Sequence, residues 1–318
     1  MRILPFKHYM PTMSGLLKNL FSGESAYPFY ASFKVTGRCH FGCPFCNVRS
    51  DNVSDLPTED IRRILDNLSK SPVLMTSFEG GEPLLREDIG DLLEYVRKRC
   101  RFYLLFTTSV KKPFNYPIAD YARLIDFLHV SIDEGHDNLE LFELLPKLSS
   151  LPTRLSVQTV VTASTVDNLE DKVRRCHEVG AGIVVIPATH MDKTDNFFPD
   201  IGRLEVIIRF LKKRFPGTIH TPLGYFKAFW KGKCSSASII IAPDGRLYYP
   251  CHIRGTKGPD LRKVDLTSWL VSDEAKRLRG DMRICGRNCG WYQYYSIDSY
   301  TSIFSVMEAL GPLLFRKN

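Results

Sequence analysis

The chain has 318 residues, of which 44% are apolar and 25% are charged, a balance typical of a globular protein. No stretch reaches the roughly 18 uninterrupted apolar residues of a membrane span, and residues 1–8 lack the features of a signal peptide. We therefore expect a cytoplasmic protein with room for one α/β barrel and an appendage. In such a protein, the nine cysteines are expected to ligate metal rather than form disulfides.

Basic residues outnumber acidic residues by 43 to 35, which gives a net charge of +8 and a pI near 9.0. They are spread along the chain, and several of them close predicted helices, where cations complement the helix dipole. Solvated helix ends therefore explain the excess, although an acidic partner such as RNA or anionic lipid stays open. Of these two interpretations we expect solvated helix ends, and nucleic acid is therefore not among the expected partners.

Hydrophobic periodicity predicts alternating strands and helices up to about residue 220. The predicted strands are 29–35, 73–78, 102–107, 127–132, 155–161 and 183–186. The predicted helices are 58–69, 86–99, 169–179 and 204–214. This alternation implies right-handed βαβ units and a parallel sheet. In such sheets, ligand chemistry gathers at the carboxyl ends of the strands.

Three closely spaced cysteines, Cys39, Cys43 and Cys46, follow the first predicted strand. Thiolates at this spacing can enclose one inorganic centre, as cysteine runs do for iron–sulfur clusters. They are one short of the four ligands of a [4Fe–4S] cluster or a structural zinc, so one metal position is left for a reactive ligand. A zinc knuckle that uses His40 or a distant fourth ligand is the alternative. Adjacent Cys39 and His40 hardly reach one ion in good geometry, however.

A glycine-rich turn follows the second predicted strand and consists of Gly80, Gly81, Glu82 and Pro83. The two glycines let the backbone come close to a ligand. The Glu82 carboxylate can accept a hydrogen bond from an ammonium group, and Pro83 stiffens the turn. Alone, this is an ordinary strand-to-helix turn. Here it is predicted to lie at the same edge of the sheet as the three cysteines.

The cysteine loop and the Gly-Gly-Glu-Pro turn together resemble the radical S-adenosylmethionine (SAM) superfamily. The resemblance implies a partial (β/α)6 TIM-like barrel and a [4Fe–4S] cluster on Cys39, Cys43 and Cys46, with SAM on the open iron. It also implies that Phe45 lies near the adenine and that the turn meets the amino group of SAM. In this superfamily, the cluster passes one electron to SAM and yields a 5′-deoxyadenosyl radical, which reacts with the substrate. A reducing partner such as ferredoxin or flavodoxin would supply the electron.

Three more residues at the strand ends are candidates for SAM binding. Thr108 follows the third predicted strand, and Ser131 and Asp133 end the fourth. Related proteins often carry Ser-x-Asp-Gly at this place, whereas Glu134 here separates Asp133 from Gly135. Each candidate has an alternative role as a helix cap or turn former.

A second set of cysteines lies beyond residue 220 and consists of Cys234, Cys251, Cys285 and Cys289. Two predicted strands flank Asp244-Gly245 and form a hairpin whose far end brings Cys251 near Cys234. The region resembles the twitch region of radical SAM proteins, a shortened SPASM extension in which a hairpin and a following helix hold an auxiliary [4Fe–4S] cluster. A structural zinc is the alternative, because four thiolates serve it equally well.

The sequence therefore predicts four parts: an N-terminal segment (1–27), a radical SAM core (28–220), an auxiliary-cluster region (221–299) and a C-terminal helix (300–318). The predicted function is that of a radical SAM enzyme acting on a peptide, a small metabolite or a lipid. The competing hypothesis is a non-catalytic, cysteine-rich zinc module that binds RNA through a basic surface. That hypothesis explains the cysteines and the charge, but not the Gly-Gly-Glu-Pro turn or the order of the elements.

Overall fold

Strands and helices alternate through the first two thirds of the computed structural model, which describes residues 2–46, 48, 53–189, 197–255 and 257–296. The C-terminal helix predicted at 300–318 lies outside these residues. The strands are β1 (Tyr30–Thr36), β2 (Met75–Gly80), β3 (Tyr103–Thr108), β4 (Phe127–Ser131), β5 (Arg154–Val161), β6 (Gly182–Pro187), β7 (Ser238–Ile241), β8 (Arg246–Tyr248) and β9 (Lys257–Asp260). The helices are α1 (Met10–Ser22), α2 (Thr58–Lys70), α3 (Ile89–Arg99), α4 (Ile118–Leu124), α5 (Leu145–Ser149), α6 (Leu169–Glu178), α7 (Ile201–Arg214), α8 (Gly224–Trp230), α9 (Leu266–Leu270), α10 (Asp273–Arg283) and α11 (Tyr292–Ser296).

Strands β1 to β6 are parallel and lie side by side in chain order, as the alternating pattern predicted. Alternate residues of each strand face the helices and form the main core. Phe33 pairs with Phe78, which pairs with Phe106, and all three side chains are fully buried. The opposite residues face the inside of the curved sheet. The α/β class with a parallel sheet is therefore confirmed.

Helix α2 shows why the helices pack on this sheet. Ile61, Ile64, Leu65 and Leu68 recur at one-face spacing, and each is fully buried. Burying one such aliphatic side chain contributes about 1.5–3 kcal/mol, so this face fixes the helix to the sheet. No helix of the described residues is long and apolar enough to cross a bilayer.

The predicted hairpin around Asp244-Gly245 is present as the antiparallel pair β7 and β8. Gly245 has a φ of +80°, which a residue with a side chain rarely adopts. The hairpin extends the main sheet rather than standing apart, because β7 pairs in parallel with β1. The sheet order is therefore β6-β5-β4-β3-β2-β1-β7-β8-β9. The division of the chain near residue 220 stays a prediction.

Helix α1 packs on the rest of the molecule through small and polar residues. Thr12 and Asn19 are buried and hydrogen-bonded, with Thr12 Oγ1 donating to the carbonyl of Pro72 over 2.8 Å. Leu17 and Phe21 on the outer side are 53% and 88% exposed. A usual surface helix buries its apolar face, whereas α1 buries small and polar residues and exposes large apolar ones.

Candidate active site

A cavity of about 500 Å³ lies inside the curved sheet, and all six parallel strands contribute to its wall. The loop after β1 contributes Cys39, Cys43 and Cys46, and the turn after β2 contributes Gly80 and Gly81. The two motifs therefore meet at the carboxyl ends of the strands, on one cavity. The sequence predicted that the cysteine loop and the glycine turn would lie at one edge of the sheet, and the described residues place them there.

The cysteine loop and the glycine turn approach each other at backbone distance. The amide of Gly81 donates to the carbonyl of Thr36 over 2.9 Å, and the amide of Glu82 donates to the carbonyl of Arg38 over 2.8 Å. A Cβ added to Gly81 would lie 2.0 Å from the Arg38 oxygen, and one added to Gly80 would lie 2.4 Å from the Thr36 oxygen. Only glycine fits at both positions, so the two glycines position the start of the cysteine loop.

The three thiols match a cluster in donor type and number. The amide of Cys46 donates to the carbonyl of Cys43 over 3.1 Å, which folds these two residues into one tight turn. Burial raises the pKa of the Cys39 thiol, and the negative charges of Glu82, Cys43 and Cys46 raise it further. A bound metal centre replaces the thiol protons and offsets this repulsion.

These thiols do not form a preformed metal site. Among the described residues, no three side chains of histidine, cysteine, aspartate or glutamate are arranged to hold a metal ion. The loop therefore supplies three suitable ligands, and their final arrangement would form with the metal centre, because metal binding couples to local folding.

Phe45, the aromatic residue before the third cysteine, packs over a glycine. A Cβ added to Gly135 would lie 2.1 Å from the Phe45 ring, so the ring occupies the space that a side chain at residue 135 would take. The ring also meets the edge of His136, with centroids 5.6 Å apart. Phe45 lines the cavity beside the cysteines, and its contact with adenine stays a prediction.

His136 is a cation beside the cysteine loop that sequence reasoning missed. Burial opposes its charge, but interactions with Asp133 and Cys43 raise the pKa of His136 to about 9. Its Nδ1 lies 2.8 Å from Asp133 Oδ1. The sequence signal was weak, since a histidine three residues after an aspartate is common in turns. This positive charge lies beside one of the three thiols of the loop.

The Glu82 carboxylate is held by three hydrogen bonds from within the protein. One oxygen accepts from the Leu84 amide and from Thr108 Oγ1, over 3.1 and 2.9 Å, and the other accepts from the Ser109 amide over 2.8 Å. Glu82 is 1% exposed, and burial raises its pKa. Its observed role is structural, because it ties the turn to the end of β3, and contact with SAM stays a prediction for Glu82 and for buried Pro83.

The candidates after β3 and β4 divide in the same way. Ser131 lines the cavity, whereas Thr108 donates its hydroxyl to Glu82. The Asp133 carboxylate is fully buried and accepts from the amides of His136 and Val160, over 2.9 and 3.0 Å. Asp133 thereby caps a turn and ties β4 to β5. Of the three candidates, Ser131 is placed to meet a bound ligand.

The second cysteine set is gathered in one region. Burial raises the pKa of the Cys234 thiol to about 12, and the nearby charges of Cys289, Cys251 and Cys285 contribute in the same direction. The four residues thus lie close enough to influence one another. In the part of the chain that the structure describes, they are not arranged as a finished metal site either.

Residues beside the second cysteine set also contribute to the cavity wall. Lys34 of β1 places its Nζ 3.2 Å from Nε2 of His252, the residue after Cys251. The His252 ring lies 5.0 Å from the ring of Trp291, which follows the Cys285–Cys289 turn. Lys34, His252 and Trp291 all line the cavity. The first cysteine set therefore lines the cavity directly, and neighbours in sequence of the second set line the same cavity.

Comparison with known proteins identifies the family. The pattern of the Radical SAM superfamily matches residues 33–204, more than half of the chain. The PqqA peptide cyclase of Granulibacter bethesdensis is 31% identical over 290 residues, which cover 78% of this chain and 75% of that protein. The chain therefore belongs to the radical SAM superfamily and is an enzyme. Membership implies a [4Fe–4S] cluster and SAM, and the zinc-module hypothesis is not favoured.

Two other similarities are more limited. The 7,8-dihydro-6-hydroxymethylpterin dimethyltransferase of Methanocaldococcus jannaschii is 36% identical over 93 residues, 27% of this chain, and the chain spans only 18% of that protein. The crystal structure of Streptococcus suis SuiB bound to the precursor peptide SuiA superposes with a TM-score of 0.65 at 16% identity. That match covers 92% of this chain and 76% of SuiB, and it establishes the fold alone.

Proposed function

We propose that this enzyme cleaves SAM reductively at a [4Fe–4S] cluster held by Cys39, Cys43 and Cys46, and that it modifies a peptide. The observation that carries the proposal is the shared cavity, because the three thiols and the polar inner wall of the sheet border one space. When bound, the cluster would supply the electron that splits SAM into methionine and a 5′-deoxyadenosyl radical. A reducing partner such as ferredoxin or flavodoxin, and a cytoplasmic location, belong to the proposal.

The residues of the chain have supporting roles in this chemistry. Gly80 and Gly81 bring backbone to the cysteine loop, and the His136 cation lies beside Cys43. Ser131 offers a hydroxyl to a ligand in the cavity. Apart from its cofactors, a radical enzyme must bind the substrate, orient it and exclude side reactions, and a cavity inside the sheet serves these needs.

A peptide is the favoured substrate class among the three that the sequence left open. Charged groups such as Lys34 and Glu79 in the cavity wall disfavour a lipid chain. The PqqA peptide cyclase of Granulibacter bethesdensis aligns with this chain over 75% of its own length, and its name gives a peptide as substrate. SuiB has been solved with a precursor peptide.

We further propose that Cys234, Cys251, Cys285 and Cys289 hold an auxiliary [4Fe–4S] cluster. Their mutual influence on the pKa of Cys234 supports a common site. Four thiolates are a complete ligand set, so electron transfer and structure are the expected roles. Because His252 and Trp291 lie between this set and the cavity, the cluster would sit beside the substrate. Structural zinc is the alternative occupant.

The test is SAM cleavage by anaerobically reconstituted protein with a strong reductant. Wild-type protein should form 5′-deoxyadenosine, and the triple variant Cys39→Ala, Cys43→Ala, Cys46→Ala should form none. Cys176→Ala is the matched control, because Cys176 is a buried core residue outside the cavity wall. Cleavage by the triple variant at the wild-type rate would contradict the proposal.

A further inference from the structure

The inner wall of the sheet carries a ring of polar side chains that SAM cleavage does not require. This polar ring consists of Lys34 of β1, Glu79 of β2, Thr107 of β3, His129 of β4 and Ser156 of β5, all of which line the cavity. Polar groups inside a parallel barrel are costly unless they are hydrogen-bonded, and bulky apolar residues usually fill that space. Their presence therefore needs an explanation.

The members of the polar ring lie at one register level. Lys34 pairs directly with Glu79 across β1 and β2. Glu79 and Thr107 each follow a member of the Phe78–Phe106 pair of β2 and β3, which places them at the same level. His129 pairs with Thr107 on one side and with Ser156 on the other. Because paired residues of neighbouring strands point the same way, the five side chains form one continuous band around the cavity.

The band continues past β5 through a histidine from outside the strand. Ser156 pairs with Gly182 of β6, which has no side chain of its own. A Cβ added to Gly182 would lie 2.1 Å from Cε1 of His220, so the imidazole occupies the place that a side chain would take. His220 also lines the cavity. Six neighbouring positions of the wall are therefore polar.

The polar ring presents hydrogen-bond donors that the described protein does not use. Ser156 is 4% exposed, and within the described residues neither its hydroxyl nor that of Thr107 has a hydrogen-bond partner. His129 Nδ1 lies 2.7 Å from Gln158 Nε2, an N–H donor, so the imidazole proton lies on Nε2. Burial lowers the pKa of His129 to about 3, which keeps its imidazole neutral.

Glu79 is the one carboxylate of the polar ring, and both of its oxygens already accept hydrogen bonds. Its oxygens accept from Ser32 Oγ and from Ser77 Oγ, which lie one level deeper on β1 and β2. Two cationic side chains, Lys34 and Arg154, line the same cavity. The hydroxyls of Thr107 and Ser156 lack an acceptor within the described residues, and two cationic side chains face one carboxylate in the cavity wall. This combination favours binding of an anionic hydrogen-bond acceptor.

We propose that the polar ring binds a carboxylate of the peptide substrate, either that of an acidic side chain or that of the peptide C-terminus. Lys34 provides the charge, and the hydroxyls of Thr107 and Ser156 donate hydrogen bonds. The carboxylate end would thus sit inside the sheet, and the carbon atoms that precede it would point toward the cysteine loop. This inference rests on the proposed function and names its substrate class.

The test is calorimetric binding to the reconstituted holoenzyme with SAM and without reductant. One probe is N-acetylglutamate N-methylamide, which carries a side-chain carboxylate, and its neutral partner is N-acetylglutamine N-methylamide. A second pair, N-acetylalanine and N-acetylalaninamide, presents a terminal carboxylate and its neutral form. One acid should bind at least about tenfold more tightly than its neutral partner, and the pair that does so identifies the source.

Variants assign the effect to the polar ring. Lys34→Met should remove the preference for the acid, whereas Lys112→Met, which removes an exposed cation, should retain it. Ser156→Ala removes a hydroxyl without a partner, so it should fold normally and bind the acid several-fold more weakly. Equal binding of acids and neutral probes, no binding of either acid, or a preference unchanged in Lys34→Met would overturn the inference. If the holoenzyme still cleaves SAM in that case, the proposed function stands and this inference alone is wrong.

Discussion

Gly81 and Arg38 lie in direct backbone contact, where a Cβ on residue 81 would be 2.0 Å from the Arg38 carbonyl oxygen. This contact joins the glycine turn to the residue before the first cysteine of the loop. It explains why the two motifs, more than thirty residues apart in the sequence, act as one unit.

Gly81→Ala should therefore displace the cysteine loop. Because backbone rather than a flexible side chain blocks the new Cβ, we expect a loss of about 1–3 kcal/mol in the free energy of unfolding and poor retention of iron. Gly280→Ala is the control, since Gly280 lies in α10 with no heavy atom within 4 Å of its Cβ position, and alanine is the better helix former. Iron analysis and denaturant unfolding provide the measurements. Equal iron content in the two variants would contradict the account.

Glu82 should matter for stability as well as for the site. Glu82→Ala leaves the Leu84 and Ser109 amides and the Thr108 hydroxyl without their acceptor, and we expect a loss of about 2–3 kcal/mol. The matched control is Glu87→Ala, an exposed glutamate five residues on, which should change stability by less than about 0.5 kcal/mol. Urea denaturation of the metal-free proteins decides the matter. If both variants were as stable as wild type, the structural role of Glu82 would be wrong.

Asp88 provides a prediction that depends on pH. Burial alone would raise the pKa of this residue, but hydrogen bonds from Arg86 and Thr58 hold it below the usual value of 3.8. The stabilisation is therefore complete at pH values above 3.8 and is lost as the pH falls through the lower pKa of the folded state.

Asp88→Asn should destabilise the protein by about 1–2 kcal/mol at neutral pH. The difference from wild type should shrink in acid, when wild-type Asp88 is itself protonated. Asp120→Asn, at an exposed position of α4, should show neither effect. Thermal or urea unfolding across this pH range measures the difference, and a constant deficit at every pH would argue against an ion-pair origin.

Metal analysis separates the two cysteine sets. With two [4Fe–4S] clusters, wild-type protein should contain about eight irons per chain, four for each cluster. The variant without Cys39, Cys43 and Cys46 should retain about half of that iron and a reducible signal in electron paramagnetic resonance. If this variant were colourless and loaded with zinc, the auxiliary cluster would be refuted, because zinc has no redox chemistry. The assignment of the SAM site to Cys39, Cys43 and Cys46 would still stand.

Local patterns were enough to predict the core of the fold. In α2, four apolar residues at helical spacing indicated the buried face, and all four are buried. Strands β1 and β2, which precede the two motifs, begin and end within two residues of the bounds that periodicity predicted. Because parallel strands end at one edge, the sequence also predicted that the two motifs would meet.

Features that depend on distant contacts were beyond the sequence. The direction of the Glu82 carboxylate depends on Ser109, which a different strand delivers. The pairing of β7 with β1 joins segments about two hundred residues apart, and no periodicity records it. The polar ring is visible only after the registers of five strands are known, since a single strand does not show which of its polar residues share a level with those of its neighbours.

Helix α1 shows a different limit of sequence patterns. Its buried residues are Thr12, Gly15 and Asn19, whereas the larger apolar residues Leu17 and Phe21 are exposed. Asn19 replaces hydrophobic packing with hydrogen bonds, since its Oδ1 accepts from the amides of Ala26 and Tyr27 and its Nδ2 donates to the carbonyl of Tyr27. Hydrophobicity alone does not predict such an orientation.

The central claim is that SAM binds the open iron of a cluster held by Cys39, Cys43 and Cys46. Electron–nuclear double resonance on the reduced holoenzyme, with SAM isotopically labelled at its carboxylate and amino groups, measures this contact directly. We predict hyperfine coupling between both labels and the cluster in wild type and in Cys176→Ala. A reduced cluster on these three cysteines that shows no coupling to either label would contradict the account.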